Sequence, residues 1–302
     1  MTSSPLSQSV RQRLLNLSRV RGEDFQLTLV HFAIERLLYR LGSAQGGERF
    51  LLKGAMLFAL WSGEAHRPTR DLDLAGRGDP SADGLAAFFR GLCGLAVPDD
   101  GLFFAGESVQ VAGIREQQEY QGQRVRLLAY LGGARIQLQV DIGFGDAVTP
   151  TPEEVDFPTL LDMPAPRLRV YPRETVIAEK LHAITTLGLL NSRMKDFYDL
   201  DWMAQSFALV GTPLVEAIRA TFARRQTALP TQTPVGLTSQ FADDPDKQTQ
   251  WWAFVRRSGL AGEELALPAV VVRLQLFLMP PLQAASDDGP TPSHWKPGGP
   301  WH

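Results

Sequence analysis

With one cysteine in 302 residues, the chain cannot form an internal disulfide, which excludes the bridge-stapled scaffolds of oxidising compartments. Cys93 lies in the apolar run Leu92-Cys93-Gly94-Leu95, where a small buried hydrophobe is expected rather than a nucleophile. No run approaches the ~20 apolar residues of a membrane helix. Met1 to Asn16 lacks the cationic start and apolar core of a secretion signal. The expectation is a cytoplasmic chain with no membrane partner. Charge of one sign is missing too. Thirty Lys and Arg against 33 Asp and Glu leave a net charge of −3, so only a local basic patch could serve nucleic acid. His31, His66, His182, His294 and His302 show no metal-ligand spacing and have no cysteine pair beside them. Ser62, Ser192 and Ser258 have no local context for a nucleophile.

Hydrophobic residues at 44% and charged residues at 21% suffice for one large domain or two ordinary ones. Phe25, Leu29, Phe32, Leu37 and Leu41 predict an amphipathic helix from Glu23 to Leu41. Phe50 to Trp61 is apolar and turns helical after Gly54. Arg70 to Ala75 reads as a buried strand. Ser81 caps a helix to Leu92. Runs at 103–114, 124–131 and 134–142 read as an antiparallel meander, punctuated by Gly122 and Gly132-Gly133. Five prolines between Thr149 and Pro166 mark a loop or linker. Helices are predicted at 174–187, 193–205, 213–226, 246–258 and 268–282. The expected layout is an α+β unit over 1–165, a helical unit over 166–282 and a disordered tail over 283–302.

Chemistry concentrates in Lys53-Gly54-Ala55 and Arg70-Asp71-Leu72-Asp73. In a strand, side chains two apart share a face, so Asp71 and Asp73 point together while Leu72 and Leu74 face the core. Two ionised carboxylates so close repel unless a cation or strong donors hold them. Mg²⁺ is the simplest such cation, and it brings phosphates with it. Asp141 ends the apolar strand Ile136 to Ile142, where a lone buried acid costs several kcal/mol unless paired or metal-bound. If the two strands are neighbours, the three acids cluster around one ion. Gly54 would then offer backbone N–H groups to the phosphates, and Lys53 a point charge. Asp146, after Gly145, reads as a turn residue. Downstream, Lys180 could neutralise triphosphate charge, yet spacing alone favours a solvated helix with Lys195 paired to Asp199. Trp251-Trp252 reads as core.

Taken in order, Lys53-Gly54-Ala55, Arg67-x-Thr69-x-Asp71-Leu72-Asp73-Leu74, Val140-Asp141-Ile142-Gly143-Phe144-Gly145-Asp146, Ala178-Glu179-Lys180-Leu181 and Arg193-x-Lys195-Asp196-Phe197-Tyr198-Asp199-Leu200 resemble the AbiEii/AbiGii-type nucleotidyltransferase toxins. The mycobacterial MenT toxins belong to that group. The resemblance covers about Phe50 to Leu200. It implies a polymerase-β-like core with a mixed or antiparallel sheet flanked by helices, followed by a helical bundle. It also implies Mg²⁺, a nucleoside triphosphate donor, a tRNA acceptor end in some members, and an antitoxin with a winged-helix DNA-binding region. Carried onto this chain, Asp71, Asp73 and Asp141 are the metal ligands. Lys180 and Asp196 form a downstream catalytic pair, with Asp199 a second acid. Lys53, Gly54, Ala55, Thr69, Lys180 and Asp199 bind the nucleotide. Many polymerase-β relatives carry Gly-Ser at the phosphate turn where this chain has Gly54-Ala55, so backbone amides and Lys53 must suffice. Arg193, Lys195, Arg219, Arg224 and Arg225 are candidate RNA-backbone contacts. Two alternatives are kinase-like phosphoryl transfer to a protein hydroxyl, and a non-catalytic module of the same fold that binds a partner.

Overall fold

The computed structural model describes residues 4–63, 67–116, 120–260, 265–287 and 289–302, so His66 lies outside the described residues. The chain forms two compact units. The first is Met1–Asp146 with Pro152–Tyr171, and the second is Ala147–Thr151 with Pro172–His302.

The first unit contains α1 (Pro5–Arg21), α2 (Phe25–Ser43), β1 (Phe50–Lys53), α3 (Met56–Ser62), β2 (Asp71–Gly76), α4 (Ala82–Cys93), β3 (Phe103–Glu116), β4 (Tyr120–Leu131), β5 (Ala134–Phe144), β6 (Glu153–Asp156) and β7 (Arg167–Val170). Local chemistry sets the helix ends. Ser4 accepts from the Ser7 N–H with Pro5 opening α1, Asp24 accepts from the Leu27 N–H, and Ser81 from the Gly84 N–H. The seven strands lie in the order β3-β4-β5-β2-β1-β7-β6, with β2/β5 and β1/β7 parallel and the remaining pairs antiparallel. Gly132 and Gly133, both at positive φ, turn β4 into β5.

That hairpin fixes the faces. Val125, Leu127, Ile136, Leu138, Val140 and Ile142 are buried on one side together with Leu52, Leu72 and Leu74, and α2 packs on β5 and β7. Each such side chain contributes about 1.5–3 kcal/mol of burial. A one-residue slip would place the whole set in water, so the register is tightly specified.

The second unit holds α5 (Arg173–Leu187), α6 (Met194–Ser206), β8 (Leu209–Val210), α7 (Gly211–Arg224), α8 (Ser239–Ala242), α9 (Pro245–Arg257), α10 (Leu267–Asp287) and β9 (His294–Trp295). Phe197 stacks on Phe241 at 4.9 Å, and Trp251 is fully buried while Trp252 is 41% exposed, so only the first of that pair is core. The tail expected to be disordered is folded instead. α10 continues to Asp287, β9 pairs with β8, and the two tryptophans of the tail are tied down. Trp295 Nε1 donates to the Ala204 carbonyl at 2.6 Å, and Trp301 Nε1 to the Phe277 carbonyl at 2.8 Å. Two indoles outweigh the Pro- and Gly-rich composition between them.

The absence of a membrane-length helix also needs correction. Among the described residues, one helix, Leu267–Ser286, is long and apolar enough to cross a membrane. Arg273 interrupts its apolar run, yet the mean hydropathy of the stretch stays at 1.3. Half of that stretch is buried inside the unit, and Arg273 makes a two-pronged ion pair with Asp201 at 2.7 Å per contact.

Candidate active site

The polar face of the sheet carries a row of charges. Asp73 is the register partner of Lys53 on β1 and of Asp141 on β5, and Asp141 is in turn the partner of Arg124 on β4. Lys53, Asp73, Asp141 and Arg124 therefore follow one another across four strands, about 5 Å from each to the next. Asp71, two residues before Asp73, shares that face and is exposed opposite Gln139. The strand adjacency expected for 71/73 and 141 is present.

Gly54 closes on this row from the end of β1. Its φ is +74°, and a Cβ there would collide with the Asp73 carboxylate. Only a residue without a side chain lets the turn backbone lie against that acid. The helix that follows, α3, has seven residues, so the turn's contribution is close backbone approach more than a long dipole.

The flanking cations are tethered. Lys53 Nζ donates to Asp146 Oδ2 at 2.9 Å, and the Tyr171 hydroxyl donates to the same oxygen at 3.0 Å. Asp146 is thus a nearly buried anchor with 6% side-chain exposure, and the turn-residue reading of it was too weak. Arg124 Nε and Nη2 grip Asp141 Oδ1 and Oδ2, each at 2.7 Å. The three-acid cluster is consequently not preformed. Among the described residues no three His, Cys, Asp or Glu side chains converge into a metal cage, and the guanidinium fork occupies both oxygens of Asp141.

The donor set nevertheless fits Mg²⁺. That ion is commonly held by one or two carboxylates plus substrate phosphates, not by an all-protein cage. Asp71 and Asp73 are two hard-oxygen donors on one face, with a Cβ-free turn beside them. Lys53 and Arg124 set against Asp71, Asp73, Asp141 and Asp146 leave two net negative charges, the complement of one divalent cation.

Thr69 sits just ahead of β2. Its carbonyl lies 2.8 Å from His31 Nε2, and its hydroxyl donates to the Asp71 carbonyl at 3.3 Å. Ala55, Thr69, His31 and Glu35 line one cleft of this unit. Burial holds the His31 pKa below its ordinary value, against the raising effect of the Thr69 carbonyl. Burial also lifts Glu35 to about 7, although Arg36 lies 2.8 Å away and the Leu160 N–H donates to it at 2.6 Å.

The second unit has its own charge cluster. Lys180 Nζ on α5 donates to Asp196 Oδ1 at 2.6 Å and to Asp199 Oδ2 at 2.8 Å on α6, and Arg193 Nε lies 2.8 Å from Asp196 Oδ2. Two cations balance two acids. Burial lowers the Lys180 pKa, but Asp196 and Asp199 outweigh it and hold the ammonium above the ordinary lysine value. Burial likewise raises Asp196, and Lys180 with Arg193 reverses this, leaving its pKa low. The solvated helix favoured by spacing is absent here, because Asp196 and Asp199 are 1% and 0% exposed.

Of the basic candidates for RNA, Arg219 is spent on the Ala284 and Ala285 carbonyls of α10 and Arg225 on His182 Nδ1. Lys195 and Arg224 remain exposed. Burial and Arg225 push His182 down to about 4, so it is a neutral packed residue, as its lack of a motif implied.

Sequence reasoning gives neither Arg124 nor Tyr171 a role. The signal for Arg124 was the Gly132-Gly133 turn: counting outward from it one residue at a time reaches Arg124 and Asp141 together.

A search of the curated proteins returns no match. Among solved structures, JHP933 from Helicobacter pylori is 14% identical, with 87% of this chain and 91% of that one covered and a TM-score of 0.48. A candidate nucleotidyltransferase from H. pylori is 15% identical, with coverage of 87% and 94% and a TM-score of 0.46. The family model described as nucleotidyl transferase AbiEii toxin, type IV TA system, matches residues 36–275. That span includes both charge clusters, and the chain belongs to the AbiEii nucleotidyltransferase toxin family.

Proposed function

We propose that the chain moves a nucleoside monophosphate from a nucleoside triphosphate to a hydroxyl acceptor in the cytoplasm, the acceptor being the 3′ end of a tRNA. The family supplies the coarse activity, a nucleotide substrate and a cognate antitoxin. The observation that supports the finer reading is the register of Asp73 with Asp141, beside Asp71 and against the bare backbone of Gly54.

Asp71 and Asp73 would hold Mg²⁺, which would supply positive charge to the triphosphate and the departing pyrophosphate. The Gly54-Ala55 backbone and Lys53 receive phosphate oxygens, with Thr69 ordering the approach to β2. Asp141 would be the third ligand and, through the metal, would assist loss of the acceptor hydroxyl proton. The bond from that oxygen to the α-phosphorus forms as the bond to pyrophosphate breaks. Lys180, oriented by Asp196 and Asp199, is assigned to triphosphate oxygens on the family's motif order.

The test is incubation with each α-labelled nucleoside triphosphate, Mg²⁺ and total tRNA. Label should enter RNA with wild type and vanish with Asp71→Ala or Asp73→Ala. Transfer of γ-label to protein would indicate the kinase alternative. No transfer from any of the four nucleotides would refute the reading.

A further inference from the structure

The cleft bordered by Ala55 and Thr69 is not used by the polar row itself. Ala55 follows Gly54 at the end of β1, and Thr69 stands two residues before Asp71, so the cleft adjoins the row at the ends of both strands. All of its lining belongs to the first unit. Met56 of α3 and Phe157 and Leu160 of the loop between β6 and β7 make it apolar, and His31 and Glu35 enter from α2. The space among them, open mouth included, is about 620 Å³. Small-molecule sites combine such apolar walls with a few placed polar groups. Two side chains of α2 fix the loop that borders the cleft. Glu35 Oε2 accepts from the Leu160 N–H at 2.6 Å, and Arg36 Nη2 donates to the Pro164 carbonyl at 2.9 Å. The Phe157 N–H closes the loop's neck on the Pro166 carbonyl at 2.8 Å. Glu35 and Arg36 are each 1% exposed, so the loop is held from within and its wall is set before any ligand arrives.

His31 supplies a reading group. The Thr69 carbonyl can only accept, so His31 Nε2 carries the hydrogen of their 2.8 Å bond. Burial favours the neutral ring, and in that tautomer Nδ1 is an acceptor. Among the described residues no donor is set against Nδ1.

We infer that this cleft is a nucleobase subsite read by His31, holding the base of the donor nucleotide or of the acceptor's terminal nucleotide. A base is flat and apolar on its faces and polar along its edge, which matches the apolar lining and its few polar groups. A base with an exocyclic amino group has an N–H to give to Nδ1, whereas uracil sets carbonyl oxygens on both sides of its one ring N–H. From the cleft a sugar leads past Ala55 and Thr69 to the polar row, where a donor's phosphates or an acceptor's hydroxyl is needed.

The subsite rests on the transfer reaction proposed above for its purpose, but its occupancy is tested without turnover. Saturation-transfer NMR with adenosine, cytidine, guanosine and uridine reads the cleft directly. Contact should appear with wild type, be weakest for uridine, and vanish with Ala59→Phe, which adds a ring to the α3 part of the lining. His31→Leu should level the difference between uridine and the other three, which loss of the Thr69 tie alone would not do. Label transfer then names the source. If the cleft takes the donor's base, KM for the triphosphate should rise at least about tenfold in Ala59→Phe, the worth of lost base stacking. In His31→Leu it should rise about three- to tenfold, the worth of one hydrogen bond. KM for tRNA should then stay put. If the cleft takes the acceptor's base, the same factors should appear in KM for tRNA instead. Thermal melting checks that the variants fold, and His31→Leu carries the test if Ala59→Phe does not. Nucleoside contact that is absent, or that survives both variants, overturns the subsite even where transfer proceeds. Nucleoside contact that the variants abolish, in a protein that transfers no label, overturns the transferase reading and leaves the subsite standing.

Discussion

The Gly54→Ala substitution probes the turn against Asp73 most sharply, and Gly63→Ala supplies its control. Both glycines flank α3, at φ +74° and +77°. An alanine at either position pays about 1–2 kcal/mol for left-handed backbone. They differ in what a Cβ meets. At Gly63 nothing lies within 4 Å, whereas at Gly54 the Asp73 carboxylate stands in the way. The acid must shift by roughly an ångström, and misplacing a reacting group by that much costs about a hundredfold in rate. Gly54→Ala should lose more thermal stability than Gly63→Ala, by about the 1–3 kcal/mol of an overpacked contact, and only Gly54→Ala should lose label transfer, by about a hundredfold beyond Gly63→Ala. The assay is α-label transfer to total tRNA alongside a thermal melt of each protein. Equal transfer by the two variants would show that the turn does not position Asp73 for chemistry.

Lys180→Met removes the cation that two buried carboxylates share, leaving Arg193 on Asp196, and should cost about 3–5 kcal/mol in urea unfolding, with part of the loss restored by adding Asp199→Asn. Because the folded Asp196 pKa is depressed, its contribution is present above the ordinary carboxylate range and should fade as pH falls through the lowered value. Lys180 has a raised pKa, so its contribution should fade as pH climbs past the ordinary lysine range, which pH-dependent unfolding would detect. Glu35 is raised from 4.5 to about 7, so the folded state binds the extra proton and loses about 3 kcal/mol of stability as pH rises from 4.5 to beyond 7. Glu35→Gln should flatten that slope in unfolding measured between pH 5 and 8, and an unchanged slope would rule Glu35 out as its source. Trp295→Ala should cost about 3–5 kcal/mol, a loss that a disordered tail would not produce.

The sheet was legible wherever period two ran unbroken. Ile136, Leu138 and Val140 announced a buried face, and Asp71-Leu72-Asp73 announced two acids on the other. The acids were found because a charge in an apolar strand is costly and therefore conspicuous. Their cations were not, because Arg124 stands in a run with polar residues at alternate positions and looks like an ordinary solvent-facing side chain. Pairing is a property of register, and neighbours 17 residues apart acquire meaning only once a hairpin is counted out. Asp146 and Tyr171, 25 residues apart, meet across strands that local pattern cannot order. Lys180 was underrated for the same reason: its partners lie on a different helix, while spacing rules speak only within one. The tail misled through composition, which averages two well-placed indoles with the glycines and prolines around them.

The path of the chain through residues 147–151 limits how the protein can be dissected. These five residues leave the sheet unit after Asp146, join the helical unit, and return at Pro152. Thr149 is clasped there from both sides, its N–H donating to the Thr175 hydroxyl at 3.0 Å and its carbonyl accepting from that hydroxyl at 2.7 Å. A fragment stopped at Tyr171 would carry a short foreign loop with its hydroxyl partner deleted. Producing the sheet alone calls for a replacement bridge that spans Asp146 to Pro152 without pulling on the carboxylate that anchors Lys53.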